Sequence, residues 1–343
     1  MTTPIEDGYH FPAEWETHEA TWLTWPHHDD SFPGKLECVY PSYMRFIVEI
    51  SKSEKVRINV PAKCREQFVH HLVLANAAIE QVEIFERESN DVWCRDHGPA
   101  FVVRDIPTRQ KAIVDWEFNA WGGKYPHDAD NLIASAIAAD FNLPVYKPGI
   151  VMEGGAVEFN GQGTVLTTKA CLLNPNRNPH LNQSQIEQYL HRYYGVHQVL
   201  WLGDGIAGDD TDGHVDDVTR FANAHTIITA VETNRNDVNY EPLQENLRIL
   251  KKIRLHNGRQ PDIVELPMPP PVIYNEQRLP ASYANFYITN NAVIVPVFRS
   301  PQDDRALQIL SACFPDRTIT GIDSTDIVWG LGSFHCLSQQ EPA

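Results

Sequence analysis

The sequence predicts an α/β fold built as a ring of repeated helix-plus-hairpin units. Three observations carry this. Strand–turn–strand segments recur every ~60 to 70 residues, a period typical of repeat architectures. Helical patterns stand between them from end to end. No low-complexity tract or flexible linker breaks the series. A length of 343 residues would alone suggest two domains, but ring and barrel architectures hold that many residues in one.

In chain order, PSYMRFIVEISKSEKV (41–56) and AKCREQFVHHLVLANA (62–77) carry apolar residues at helical spacing. DHGPAFVVRD and QKAIVDWEF (96–118) follow as two strands around a long turn. DADNLIASAIAADFN (128–142) is helical again, and GAVEFNGQGTVLTT (155–168) is a hairpin turning at Asn160 and Gly161. NQSQIEQYLHRYYG (182–195) is a helix capped at both ends, by Asn182 or Ser184 in front and Gly195 behind. VDDVTRFANAHTIITA (215–230) is the next hairpin, and LQENLRILKKIRLHNG (243–258) is a helix closing at Gly258. LPMPPPVIYNEQRLP (266–280) reads as a surface loop stiffened by its prolines. ANFYITNNAVIVPVF (284–298) is the last hairpin, its second strand rich in β-branched residues.

Composition narrows the function. A formal net charge of −17 argues against nucleic acid or an anionic membrane surface as partner, and favours cationic partners only mildly. No apolar run approaches a membrane span. MTTPIEDGYHFPAEWE lacks the basic-then-apolar order of a signal peptide, so a cytoplasmic protein is expected. The six cysteines, Cys38, Cys64, Cys94, Cys171, Cys313 and Cys336, form no C-x-x-C pair, and reduced thiols are the default.

Each hairpin begins with, or is preceded by, an acid, a histidine or an amide: Asp96, Glu153, His214 with Asp216, and Asn285. Equivalent positions of a ring lie at one end of its axis, so these residues converge on one pocket. Each also has a plainer reading. Asp96 could pair with Arg95 at the surface, and Glu153 could sit at the exposed corner of a bulge. Gly154 and Gly155 instead favour close approach of backbone or ligand. GDDTDGHVDDVTRF (208–221) superficially resembles a calcium loop, but Gly208 and Thr219 fall where carboxylates are required. His214 and Asp216 could hold zinc only with a third ligand, which is not nearby in sequence. Asp209, Asp210 and Asp212 read as a solvated loop. Cys336, in GLGSFHC, would alone be a small buried hydrophobe. Its neighbour His335 points to the opposite face of an extended chain, which leaves His214 as the better base.

The ordered set WCRDHGP, EFNAWGG, MEGGAVEFNGQGT, LLNPNRNP, DTDGHVDD, LPASYANFYITNN and GSFHC resembles the agmatine deiminase branch of the guanidine-modifying, or pentein, superfamily. That branch is also labelled Porphyromonas-type peptidylarginine deiminase. The resemblance runs from PAEWE (12–16) and TWLTWP (21–26) to the C-terminus, so 1–343 is expected to be one agmatine deiminase-like catalytic domain. It implies a five-bladed, pseudo-symmetric α/β propeller with a cysteine nucleophile, no cofactor and no metal. Residue by residue, it implies Cys336 as nucleophile and His214 as general acid/base. Asp96 and Asp216 would bind the guanidinium, Glu153 would stand beside the histidine, and Trp93 and Trp121 would line the pocket. There are two departures: His97 stands where threonine is common, and the segment between MPPP and LPASY is shorter than in plant-like members.

The chemistry needs these residue types. A guanidinium is planar and cationic at any cellular pH. Two carboxylates accepting its N–H groups in pairs would orient its carbon for attack. An unperturbed cysteine is only a few per cent thiolate at neutral pH, so the bound cation and a protonated His214 would have to help ionise Cys336. The reaction implied is hydrolysis of a C–N bond of a linear amidine through an amidino-cysteine. It would convert agmatine and water to N-carbamoylputrescine and ammonia, a step of putrescine and polyamine metabolism. Rival readings are deimination of free or peptidyl arginine, amidine transfer, a non-catalytic guanidinium-binding module and a zinc hydrolase. The expected partner is a small cationic guanidine, and nothing decides between a monomer and a homo-oligomer.

Overall fold

The computed structural model describes residues 2–106 and 108–343. Among the described residues, its strands form five small sheets of similar connectivity and one separate two-stranded hairpin. In the first, β1 (His18–Thr24) runs parallel to β2 (Lys55–Val60), which runs parallel to β3 (Val82–Glu86). In the second, β4 (Ala100–Arg104) and β5 (Gln110–Val114) form an antiparallel hairpin, and β6 (Val145–Tyr146) returns parallel to β5. The pattern repeats in β7 (Glu158–Phe159), β8 (Thr164–Thr168) and β9 (Gln198–Leu202). It repeats again in β10 (Thr219–Asn223), β11 (Thr226–Val231) and β12 (Asp262–Pro267). A short hairpin, β13 (Ile273–Tyr274) with β14 (Gln277–Arg278), lies in the stretch expected as a loop. The fifth sheet is β15 (Tyr287–Ile288), β16 (Ala292–Val297) and β17 (Thr318–Asp323). Finally β18 (Gln339–Pro342) pairs antiparallel with β1. The first sheet thereby gains the antiparallel pair the other four make as hairpins, from segments at opposite ends of the sequence.

The four expected hairpins form. The repeat unit differs from expectation by one strand: it is hairpin, helix, then a parallel strand. Helices Leu36–Ser51, Ile133–Asp140, Gln183–Tyr194, Tyr240–Leu250 and Asp303–Cys313 carry the chain to that strand in the five units. The parallel strands escaped notice because β6 has two residues and β12 and β17 are only half-buried, so neither shows a clean apolar run. The helix expected at 41–56 spans Leu36–Ser51 instead. Pro41 marked a false start, because proline is most common in a first turn. Val56, Ile58 and Val60 alternate with Arg57 and Asn59, which is strand period, and they form β2. Helix Gln183–Tyr194 keeps its expected ends: Asn182 and Gln185 close a capping box, and Gly195 ends it at φ 71°.

The middle strands β5, β8, β11 and β16 lie between a hairpin partner and a helix-connected neighbour, and their apolar residues are almost wholly buried. Among the described residues, no helix is long and apolar enough to cross a membrane. What positions the site is the start of each sheet. One-turn helix Cys94–His97 precedes β4, and short turns Gly154–Ala156 and Val215–Asp217 precede β7 and β10. Asn285 precedes β15, and one-turn helix Phe334–Leu337 precedes β18. These five segments meet: Gly155 N donates to Asp96, Asn285 bonds Asp217 and Cys336, and His335 bonds Asp216.

Candidate active site

Cys336 lies on the turn Phe334–Leu337 and is 5% exposed. Its Sγ accepts from Asn285 Nδ2 at 3.0 Å and lies 3.7 Å from Asp216 Oδ2. Asn285 Oδ1 accepts from the backbone N–H groups of His335 and Cys336 at 3.1 and 3.3 Å. Asn285 Nδ2 also donates to Asp217 Oδ1 at 2.9 Å. One amide therefore fixes both the nucleophile and the turn that carries it. Asn285 belonged to the expected series of hairpin starts, but nothing in the sequence tied it to the cysteine.

Asp96 accepts from Trp121 Nε1 on Oδ2 and from Gly155 N on Oδ1, both at 2.9 Å. The surface pairing with Arg95 does not form. Both residues are buried, and Arg95 turns instead to Gln340 at 2.7 Å. Trp121 reaches Asp96 from a tight turn with φ 56° at its own Cα, which Asn119 braces by accepting from Gly122 N. A Cβ at Gly332 would lie 2.5 Å from the Trp93 ring, so that glycine lets the indole pack against the cysteine loop.

His214 is fully buried, with Nδ1 3.8 Å from Asp96 Oδ1 and no hydrogen bond to either ring nitrogen. Burial alone would depress its imidazole. Asp96, with Cys171 and Asp216 behind it, overcomes this and holds it well above the ordinary value. Glu153 makes no hydrogen bond to His214. Arg177 Nε, from LLNPNRNP, donates to its Oε1 at 2.5 Å, while Oε2 stays buried without a partner. Atoms of Glu153, His214 and Cys171 still lie within 4.8 Å of one another. Arg177 also bonds Asp212 at 2.6 Å, and Asp209 accepts from Gly213 N at 2.8 Å. Asp209 and Asp212 thus brace the histidine loop, contrary to the solvated run expected.

Asp216 Oδ2 is bonded to His335 Nδ1 at 2.6 Å, and its Oδ1 has no partner. Burial would raise this carboxyl, but the His335 bond outweighs it and holds the group below the usual range. Asp96 is raised by burial, with His214 opposing and Asp216 and Glu153 adding. Burial pushes the Cys336 thiol well up, and Asp216, Asp217 and Asp96 push it further.

Besides Glu153–Cys171–His214, two buried groups have metal-ligand chemistry: Glu14–Glu158–His335 and Asp216–Asp217–Cys336. Protein donors already engage each. Arg220 bonds Glu14 and Glu158, Asn285 bonds Asp217, and Arg177 neutralises Glu153.

A cavity of about 420 Å³ is lined by Cys336, Asp96, Trp93, Trp121 and Asp91, with the solvent-facing Asp30 and Asp210 at its mouth. Burial pushes the Asp91 carboxyl up to about 6. No lysine or arginine lines this cavity among the described residues. Residues 10–342, which contain every group named above, match the family model of the Porphyromonas-type peptidyl-arginine deiminases.

The chain belongs to that family. It is 36% identical to the agmatine deiminase of Medicago truncatula over 99% of its own length and 98% of the relative's. The structure of the agmatine deiminase of Enterococcus faecalis superposes with TM-score 0.93 at 34% identity, covering 100% of this chain and 98% of that one. A C. jejuni agmatine deiminase with substrate bound gives TM-score 0.88 at 35% identity, covering 98% and 96% of the two chains. The α/β fold is thus the fold of deiminases in this family.

Proposed function

We propose that the chain hydrolyses agmatine to N-carbamoylputrescine and ammonia. The observation that carries this choice within the family is the cavity. Its lining offers Asp30 and Asp91 to a distal ammonium, Asp210 being paired with Lys124 at 3.3 Å, and the lining itself holds no lysine or arginine for an α-carboxylate. Free arginine would bring an anion into a mouth of like charge, an unfavourable exchange for its own hydration. The named relatives are agmatine deiminases, which supports the same substrate.

Substrate enters as a dication. Its guanidinium takes Asp96 and the free Oδ1 of Asp216 as acceptors, with Trp93 and Trp121 flanking it. The arriving cation offsets the carboxylates that keep Cys336 protonated, and the thiol proton leaves to water. Cys336 Sγ then forms a bond to the guanidinium carbon. Imidazolium His214 gives its proton to the departing nitrogen, the C–N bond breaks, and ammonia leaves an amidino-thioether. Water attacks the same carbon as neutral His214 takes one of its protons. The C–S bond breaks, the departing sulfur takes the adduct's hydroxyl proton, and the neutral ureido product leaves Cys336 a thiol and His214 an imidazolium. Glu153, held by Arg177, supplies negative charge near His214 in both steps. We read the five sheets as the blades of a five-bladed propeller, and 1–343 as a single catalytic domain acting in the cytoplasm.

The purified protein is offered agmatine, free arginine and a peptide with internal arginine, with Cys336→Ala in parallel, and ureido product and ammonia are measured. Turnover of agmatine at least about 100-fold above arginine in kcat/KM, abolished in Cys336→Ala, is expected. Preference for arginine or the peptide would refute the substrate while keeping the mechanism.

A further inference from the structure

His335 takes no part in the steps above, yet it is 1% exposed and lies between two carboxylates. Its Nδ1 is 2.6 Å from Asp216 Oδ2, and its Nε2 is 2.8 Å from Glu14 Oε2. A neutral imidazole has one N–H, so its other nitrogen would turn a lone pair onto an oxygen at that distance. Protonation of either carboxylate would relieve this, but their surroundings oppose it. Glu14 accepts from Arg220 Nη2 at 2.8 Å and has Arg95 Nη2 at 3.5 Å. Despite burial, Arg220, His335 and Arg95 hold it well below the usual carboxylate range. Asp216 also lies below that range.

We propose that His335, held as an imidazolium by Glu14, is a positioning residue that keeps Asp216 ionised and oriented before substrate arrives. The need is electrostatic. Asp216 adjoins Asp217 and faces Asp96 and the Cys336 thiol, and crowded carboxylates share protons unless a cation intervenes. Asp217 shows that alternative: burial and then Asp216 push it well above the usual range. His335 ties down Oδ2 of Asp216 and leaves Oδ1, which has no protein partner, for a guanidinium N–H. The other charged groups around this pair come from four elements. They are Arg95 on Cys94–His97, Glu158 on β7, Arg220 on β10 and His214 before Val215–Asp217. Arg220 pairs with both Glu14 and Glu158, and burial raises the Glu158 carboxyl, so Glu14 is the carboxylate that bonds His335 Nε2 directly. Glu14, in PAEWE, thereby governs a carboxylate that lies 3.7 Å from Cys336 Sγ.

The proposal rests on the agmatine reading only for its kinetic arm. Glu14→Gln keeps a polar partner for Nε2 and removes the charge. Its kcat/KM for agmatine is expected to fall more than about tenfold near about pH 6 and to recover within about threefold of wild type near about pH 9, an upward move of the acid limb by about one pH unit or more. His335→Gln should show the same shift. Nitrogen NMR of the free wild-type protein, with His335 assigned by its loss in His335→Gln, should show both ring nitrogens protonated across that range, and one in Glu14→Gln. An equal loss at every pH, or a neutral His335 in wild type at about pH 8, overturns the proposal. The wild-type spectra need no turnover and no folded variant of Glu14. They therefore judge the charge even where agmatine fails as substrate.

Discussion

Gly155 has no side chain because three reacting groups occupy the space one would fill. A Cβ there would lie 2.5 Å from His214 Nδ1, 3.0 Å from Asp96 Oδ1 and 3.1 Å from Asp216 Oδ2. Gly155→Ala is therefore expected to displace the acid/base and both guanidinium carboxylates at once. Turnover should drop by about 100-fold or more while stability falls by about 1–3 kcal/mol. A turnover assay beside a thermal melt separates the two, and near-normal turnover would show the site to be looser than these distances imply. The two glycines of MEGGAV were legible as a place of close approach. Asp96, His214 and Asp216 were legible as polar residues at the starts of repeated hairpins, whereas Cys336, alone a small buried hydrophobe, was legible through their company and the family resemblance. Arg177, Glu14 and the role of His335 did not. Their importance lies in bonds to groups of other units, and a residue's own neighbours in sequence carry no trace of those.

At the scale of elements, β18 is tied by one side chain to three other strands. Its Glu341 accepts from Trp22 Nε1 of β1 at 2.8 Å, Arg57 Nη1 of β2 at 2.5 Å and Lys111 Nζ of β5 at 2.5 Å. Arg57 is buried, and burial without its carboxylates would depress it. Glu341, with Glu83 and Glu19, instead drives it up. Glu341→Ala is expected to cost about 3 kcal/mol, because it strands a buried guanidinium and an indole N–H. Urea unfolding measures this, and a loss under about 1 kcal/mol would mean that Glu19 and Glu83 suffice. Sequence periodicity found the hairpins, since each pairs strands close in sequence across a short turn. It missed the parallel partners, whose register is set through a helix, and the β1–β18 pair, whose strands no local signal joins.

Over the whole molecule, a formal charge of −17 and a carboxylate-lined mouth surround a site for a dication. Long-range attraction should hasten encounter, and salt should remove that advantage. Raising ionic strength from about 0.02 to 0.2 M is expected to lower kcat/KM for agmatine several-fold, with kcat unchanged. A flat response would place the recognition of charge wholly inside the cavity. The pairing of β1 with β18 also has a meaning in time. Trp22 waits for Glu341 across 319 positions of sequence. At ~5–20 residues per second, a ribosome takes roughly 15 to 65 seconds to supply that partner. Until then the first sheet has an open edge for a chaperone to guard, and the thiol has not been made. The nascent chain is chemically silent while four of its sheets can already fold, and the short segment that brings Cys336 and β18 both seals the molecule and arms it.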